Sequence, residues 1–171
     1  MPDYKTPDQR HKIMAAIRAK NTKPEIIVRK YLWSHGYRYR LNHTRLPGKP
    51  DIVLRKYRTC IFVNGCFWHG HEGCRYYSVP KSNTDFWKAK ISRNQERGAE
   101  VKVQLTQMGW NCITIWECEL KPDKKENTLE SLICTLSIIL LQGHKVKKYD
   151  FAQENNIMMV ADDSDIDDMR T

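Results

Sequence analysis

The sequence lacks a hydrophobic run long enough to span a membrane. Its apolar stretch Leu132–Leu141 is interrupted by Cys134, Thr135 and Ser137, whereas a transmembrane helix needs about 20 consecutive apolar residues. The N-terminal residues Met1–Pro7 also lack the apolar segment of a secretory signal peptide. We therefore expect a cytoplasmic protein that is neither secreted nor bound to a membrane.

The composition gives no reason to expect disulfide bonds either. A chain of 171 residues buries about 70% of its unfolded surface when it folds, and a core of that size needs no cross-links. In a reducing compartment the six cysteines are expected to be free thiols, metal ligands or catalytic groups.

Acidic residues are scarce everywhere except near the C-terminus. The chain has 20 acidic and 29 basic residues, and residues 150–171 hold seven of the acids and a single arginine. Residues 1–149 therefore carry a charge of +15, which favours nucleic acid as a partner, although a basic face turned only to solvent is the alternative. We expect one folded domain over residues 1–149 and a mostly disordered acidic tail over 150–171.

Two helices are predicted at the start of the chain. Apolar residues on one side predict a first helix over Asp8–Lys20. Thr22 and Glu25 then have the spacing of a capping box, in which each side chain binds the backbone N–H of the other residue. The second helix is expected to end near Gly36.

The remaining pattern predicts strands, a long helix, one more strand and a final helix. The predicted strands are Tyr37–Leu41, Asp51–Leu54, Thr59–Val63 and Cys112–Trp116, the second and third forming a hairpin. A long helix is expected from Thr84 to Met108, and Thr128 is expected to cap a last helix that ends at Gly143. This order predicts an α/β domain with a mixed central sheet flanked by helices.

The segment from Gly65 to Asn83 is irregular and rich in metal-binding side chains. Cys66, His69, His71 and Cys74 lie within nine residues, and Cys118 follows a predicted strand. Thiolates and imidazoles are the ligands of tetrahedral zinc, so Cys66, His71, Cys74 and Cys118 are candidate ligands of a structural Zn²⁺. The alternative is that these cysteines are small buried hydrophobic residues.

A second candidate site lies at the head of the Asp51 strand. Nucleases that depend on Mg²⁺ place carboxylates at strand ends, where the metal can bridge the acid and a phosphate. The second carboxylate and lysine that usually complete such a site are absent near Val63 and Asn64. A backbone carbonyl and His69 would have to replace them, and Asp51 alone is also explained as a residue that caps a turn.

Four segments of the chain together resemble the very-short-patch-repair (Vsr) DNA mismatch endonucleases. They are Leu46–Leu54, Ile61–His71, Phe86 and Trp87 with Lys90 and Asn94, and Trp116–Cys118. The resemblance covers about residues 8–120, and its most specific part is the Gly-Cys-Phe-Trp-His-x-His sequence that begins at Gly65.

The resemblance implies a restriction-endonuclease-like fold with a structural zinc site. It implies a monomeric bacterial enzyme, acting at the nucleoid, that nicks duplex DNA 5′ to the T of a T:G mismatch left by 5-methylcytosine deamination. By position, Asp51 and the main-chain carbonyl of Val63 would bind Mg²⁺, His69 would be the general base and Glu25 an active-site acid. Downstream mismatch-repair proteins are possible partners.

Two positions depart from the family pattern. Asn64 stands where the family commonly has a histidine, and Gly98 stands where an active-site aspartate is expected. Asn64 can bind a phosphate but cannot transfer a proton, and Gly98 removes a group that would orient a catalytic histidine. With Asp51 and His69 still present, we expect catalysis to survive.

The resemblance also assigns residues to DNA recognition. Phe67 and Trp68 would enter the duplex from the major groove and Met14 from the minor groove, and apolar wedges separate base steps at the lowest cost where pairing is imperfect. Packing within the protein is the alternative for all three residues. Two rival functions stay open: a restriction-type endonuclease that cuts paired DNA, and a non-catalytic zinc module that binds distorted DNA.

Overall fold

The computed structural model describes Thr6, Asp8, Gln9, Lys12 and residues 20–142. Three residues of the predicted first helix, Asp8, Gln9 and Lys12, are helical. Met14, Gly143 and the acidic segment 150–171 lie outside the described residues.

Helix α1 spans Lys23–Ser34 and begins with the predicted capping box. Thr22 Oγ1 accepts the backbone N–H of Glu25, and the Glu25 carboxylate accepts the backbone N–H of Thr22. Beyond the helix, Gly36 has a φ of +80°, a conformation in which glycine ends helices without a steric penalty. Both predicted ends of this helix are confirmed.

Four strands form one mixed sheet, in which β1 is Arg40–Leu41, β2 is Ile52–Leu54, β3 is Thr59–Asn64 and β4 is Asn111–Trp116. The order across the sheet is β1-β2-β3-β4; β2 is antiparallel to β1 and β3, and β4 is parallel to β3. The predicted hairpin and the mixed central sheet are confirmed.

Strand β1 is shorter than the predicted Tyr37–Leu41. Arg40 pairs with Val53, so further pairing toward Tyr37 would need partners beyond Leu54. The chain there turns into a 3₁₀ helix at Arg55–Tyr57. The alternating aromatic and basic residues of Tyr37–Leu41 suit a strand, but the partner strand β2 ends at Leu54, which is too early to pair with Tyr37.

Helix α2 spans Thr84–Gln107 and connects the hairpin to β4. A buried cluster joins this helix to the sheet and comprises Leu46, Val53, Cys60, Val101 and Leu105. Phe62, Trp110 and Cys112 pack against the cluster. The long helix is confirmed, and Gly98 does not interrupt it.

The prediction that Thr128 caps the last helix is wrong. Helix α3 already begins at residue 125 and continues to the end of the described residues at 142. A turn bonded from Lys125 N–H to the carbonyl of Lys121 starts it earlier, and the Thr128 hydroxyl donates instead to the carbonyl of Glu119 at 3.0 Å.

The chain divides into two compact units, Met1–Leu129 and Glu130–Thr171. All site residues described below belong to the first unit. Within the described part of the chain, no helix is long and apolar enough to cross a membrane.

Candidate active site and metal centre

Asp51 lies immediately before β2 and contacts the neighbouring strand. The backbone N–H of Val63 on β3 donates to Asp51 Oδ2 at 2.8 Å. The bond forms because β2 and β3 run antiparallel, with Ile52 opposite Ile61. The structure thus brings together the two residues that the family resemblance implies as Mg²⁺ ligands.

Glu25 is buried on α1 and is paired with Arg29. Its carboxylate accepts the backbone N–H of Asn21 at 3.1 Å and the hydroxyl of Thr22 at 2.9 Å. Arg29 Nη2 lies 2.5 Å from Glu25 Oε2, and Arg29 Nη1 donates to Asn21 Oδ1 at 2.6 Å. Arg29 was missed by sequence reasoning, although its spacing of four residues from Glu25 is a signal for an ion pair.

The pKa of Asp51 is raised above its ordinary value. Burial is the largest cause and the negative charge of Glu25 adds to it, whereas the Val63 N–H and the charge of Arg29 act in the opposite direction. Burial and a neighbouring carboxylate both disfavour the ionised form of Asp51. A hard divalent cation with oxygen ligands would relieve that repulsion, so this neighbourhood fits such an ion.

His69 lies in the loop that follows β3 and is fixed there by α2. Asn94 Nδ2 donates to the carbonyl of Trp68 at 2.9 Å, and Gln95 Nε2 donates to the carbonyl of Gly70 at 3.2 Å. Gly70 has a φ of +58°, and a Cβ on it would lie 2.7 Å from the side chain of Ile91. Only glycine lets the loop approach the helix this closely.

The His69 side chain shares a cavity with Asn64 at the end of β3. Burial, followed by the positive charge of Lys102, lowers the pKa of His69. A neutral imidazole can accept a proton near neutral pH. The cavity therefore presents a candidate base, His69, and its wall includes Asn64, the residue that follows Val63 on β3.

The four predicted zinc ligands form one cluster. The ligand atoms of Cys66, His71, Cys74 and Cys118 all lie within 4.8 Å of one another, and Cys118 Sγ is 3.4 Å from His71 Nδ1. In a tetrahedral site with zinc–sulfur bonds of about 2.3 Å, sulfur atoms stand roughly 3.8 Å apart. The cluster can therefore hold a metal ion after only small movements.

Neighbouring groups support this cluster. The ring of Trp116 stacks on His71 with centroids 4.0 Å apart and planes at 5°. The backbone N–H of Tyr76 donates to Cys74 Sγ at 3.4 Å, and burial raises the pKa of the Cys66 thiol to about 12. A bound cation would provide the charge that a buried thiolate needs.

Phe67 and Trp68 pack with two aromatic residues of α2, Phe86 and Trp87, in an assembly that we call the aromatic cluster. The Phe67 ring lies 5.2 Å from both Trp68 and Trp87, edge to face. Lys90 Nζ is 5.6 Å from the centre of the Trp68 ring. Phe67 and Trp68 are half-buried, so their role as wedges stays a prediction, as does that of Met14.

Comparison with known proteins agrees with these features. Residues 2–75 match the family described as DNA mismatch endonuclease Vsr. The type II nicking enzyme V.NmeAIP of Neisseria meningitidis serogroup A is 50% identical over 121 residues, which cover 71% of this chain and 86% of that protein. The type II nicking enzyme V.XorIIP of Xanthomonas oryzae is 47% identical over 120 residues, covering 70% of this chain and 88% of the relative.

A third relative carries the family name itself. The DNA mismatch endonuclease Vsr of Escherichia coli K12 is 36% identical over 140 residues, which cover 78% of this chain and 89% of that protein. The mixed sheet between helices agrees with the restriction-endonuclease-like fold of this family. The chain is therefore a DNA endonuclease that belongs to the Vsr family of DNA mismatch endonucleases.

Proposed function

We propose that this enzyme nicks one strand of duplex DNA on the 5′ side of the T in a T:G mismatch. Such a mismatch arises when 5-methylcytosine is deaminated, and the nick would begin its very short patch repair. The enzyme acts as a monomer in this proposal and leaves its product to downstream repair proteins. The observation that carries the proposal is the contact of Asp51 with Val63 beside the cavity lined by His69 and Asn64.

Mg²⁺ is the proposed catalytic metal, held by Asp51 and the carbonyl oxygen of Val63. The bound ion supplies positive charge against the scissile phosphate. Glu25 adds a second carboxylate to the neighbourhood, and Arg29 holds that carboxylate in position through their buried pair. The hard oxygen donors and the raised pKa of Asp51 support a small divalent cation at this place.

His69 is the proposed general base. Its imidazole is largely neutral near pH 7 because burial and Lys102 lower its pKa, so that a ring nitrogen can take a proton from the attacking water. Asn64 lines the same cavity and offers its amide N–H to a phosphate oxygen, although it cannot carry a proton.

Zn²⁺ is the proposed ion of the Cys66, His71, Cys74 and Cys118 cluster. Three thiolates and one imidazole form a closed, four-ligand donor set, which is typical of structural zinc rather than catalytic zinc. The ion would tie the loop that carries His69 to the end of β4. Its role is therefore to fix the position of the proposed base.

The aromatic cluster is the proposed means of choosing a mismatch. Insertion of Phe67 and Trp68 requires two base pairs to separate, and this costs least where the pairing is already imperfect. Phe67 and Trp68 directly precede His69 in the sequence. Insertion of their rings into the duplex would therefore place the imidazole of His69, the proposed general base, beside the DNA backbone that is cut.

Two variants test the catalytic assignment on a labelled T:G duplex with Mg²⁺. Asp51→Asn and His69→Ala should each lower the nicking rate by about 100-fold or more, because each removes a group that acts in the reaction. Both should retain wild-type affinity for the duplex within a few-fold. Lys56→Gln, in the turn between β2 and β3 at the far end of β3, is the matched control and should nick normally.

A second candidate function is favoured by Asn64 and Gly98, which replace two residues of the family's active site. In that case the chain would bind mismatched DNA without cutting it. Intact mismatch binding by the wild type with no Mg²⁺-dependent nick, tested over several flanking sequences, would support this alternative and reject the proposed reaction.

A further inference from the structure

The cavity that contains His69 extends well beyond this residue along helix α2. It has a volume of about 170 Å³, the space of roughly six water molecules, which is enough for a phosphate group. Asn64 lines it from β3, and Arg97 and Lys102 line it from the helix.

The helix residues of this cavity recur with helical spacing. Five residues of α2 line the cavity: Asn94, Arg97, Gly98, Val101 and Lys102. Along the sequence they follow one another at steps of three, one, three and one residues. Residues with these spacings share one face of a helix. The face turned toward the end of β3 therefore carries two cations and an amide around a glycine.

No acidic side chain is among the described residues that line this cavity. The nearest acids of α2 in sequence, Glu96 and Glu100, do not line it, and Glu96 accepts a hydrogen bond from Ser92 at 2.8 Å. Within the described part of the chain, Arg97 and Lys102 form no ion pair. Their charges are thus available to an anion.

Gly98 leaves room for that anion. A Cβ built on it would have no heavy atom within 4 Å, apart from its chain neighbours and its own helix backbone. Glycine weakens the interior of a helix relative to alanine, and here the missing side chain enlarges a cavity bordered by cations. A Cβ at this position would therefore stand in open space.

We propose that this cavity is a subsite for a backbone phosphate of the DNA, contacted by Arg97 and Lys102. The inference rests on the proposed nicking of DNA, because a duplex cut beside His69 brings a neighbouring phosphate to this face of α2. The guanidinium of Arg97 can donate two parallel hydrogen bonds to two oxygens of one phosphate, and the ammonium of Lys102 adds a point charge. Asn64 supplies a neutral donor at the opposite wall.

The first test measures how salt weakens binding to a T:G duplex in the absence of Mg²⁺, so that no cleavage is needed. The double variant Arg97→Gln/Lys102→Gln should reduce the slope of log K against log salt concentration by about 1, the value for one lost phosphate contact. The double variant Arg55→Gln/Lys56→Gln removes the same charge from the opposite end of β3 and should keep the wild-type slope. Equal slopes for all three proteins would overturn the proposal.

The second test changes the charge of the cavity at constant size. Gly98→Asp and Gly98→Asn add side chains of nearly the same shape to the same open space. Gly98→Asp should bind the duplex several-fold more weakly than Gly98→Asn at low salt, and the difference should shrink as salt rises. Equal or tighter binding by Gly98→Asp would contradict an anion subsite.

The anion in this cavity could be a phosphate of the DNA backbone or free inorganic phosphate, and a melting experiment with inorganic phosphate distinguishes the two. If phosphate raises the melting temperature of the wild type but not of Arg97→Gln/Lys102→Gln, while both bind DNA with the same salt slope, the assignment to the DNA backbone is wrong. These binding results are separate from nicking: a wild type that binds with the expected slope but never cuts would reject the proposed reaction and leave the subsite intact.

Discussion

Arg29 connects the capping box of α1 with the proposed metal ligands. It pairs with the buried Glu25, and its charge also acts on Asp51. Its Nε is buried without a hydrogen-bond partner in the described structure. Burying an ion pair costs desolvation energy, and this cost is best offset when additional hydrogen bonds and charges also interact with the pair. We interpret Arg29 as a positioning residue for the two carboxylates.

Arg29→Met should destabilise the fold by about 3–5 kcal/mol, because it leaves Glu25 buried without its counter-charge. Urea unfolding measures this loss. Arg29→Met combined with Glu25→Gln should recover part of it, since the double variant has no buried ion. If Arg29→Met alone unfolds like the wild type, the pair does not hold Glu25 in place.

Asp51→Asn should stabilise the protein at neutral pH. The folded-state pKa of Asp51 lies above the unfolded value, so ionised Asp51 weakens the fold, and this loss develops as pH rises from the unfolded pKa through the folded one. Asparagine avoids the loss and can still accept the Val63 N–H. Without added Mg²⁺, the melting temperature of Asp51→Asn should exceed that of the wild type at pH 7, and the difference should vanish at pH 3.

Magnesium should reverse this order. A ligand that binds only the folded state stabilises it, so Mg²⁺ should raise the melting temperature of the wild type and leave that of Asp51→Asn unchanged. Equal responses of the two proteins would exclude Asp51 as a magnesium ligand.

At the scale of elements, the loop between β3 and α2 has no regular structure of its own. It is held by Asn94 and Gln95 of α2 on one side and by the Cys66, His71, Cys74 and Cys118 cluster on the other. Metal-binding free energy in such a site is folding free energy. The position of His69 thus depends on a distant strand end.

If the cluster binds zinc as proposed, metal analysis of the purified wild type should find one equivalent of zinc, and Cys66→Ala should lower the stability markedly and lose this zinc. The exposed Cys134 offers a matched control, and Cys134→Ala should change the unfolding free energy by no more than about 0.5 kcal/mol. A wild type without zinc, together with a Cys66→Ala variant of normal stability, would disprove the zinc site.

Features that depend on local sequence were predictable. The capping box of Thr22 and Glu25, the hairpin and the clustering of Cys66 with His71 follow from short spacings that constrain the backbone or the ligands directly. The length of β1 could not be predicted in this way, because it depends on where the partner strand β2 ends. Thr128 was misread since a preceding turn starts α3 earlier than the threonine.

The unpredicted parts of the site come from contacts between distant segments. Trp87 joins Phe67, and Lys102 faces His69, because α2 crosses beside the loop. Arg97 and Gly98 have helical spacing with Asn94, but only the fold places that face over the end of β3. Such contacts are set by packing of whole elements, which periodicity alone does not determine.

At the scale of the whole molecule, the sheet and α2 place three proposed functions around one strand end. The terminus of β3 carries the contact to Asp51, the loop with His69 and Cys66, the first residue of the candidate metal cluster. The aromatic cluster and the cationic cavity both extend along α2. The proposed function assigns DNA backbone binding to the cationic cavity, separation of a weak base pair to the aromatic cluster and cleavage to Asp51 and His69.

The most direct test of this account uses one labelled duplex, prepared with a T:G mismatch and with a C:G pair at the same position. Wild-type protein is incubated with each duplex, with and without Mg²⁺, and both strands are resolved on a denaturing gel for several flanking sequences. We expect a single Mg²⁺-dependent nick immediately 5′ to the mismatched T, with the G strand and the paired duplex intact. Cleavage of the paired duplex at the same rate, or no cleavage of either, would contradict it.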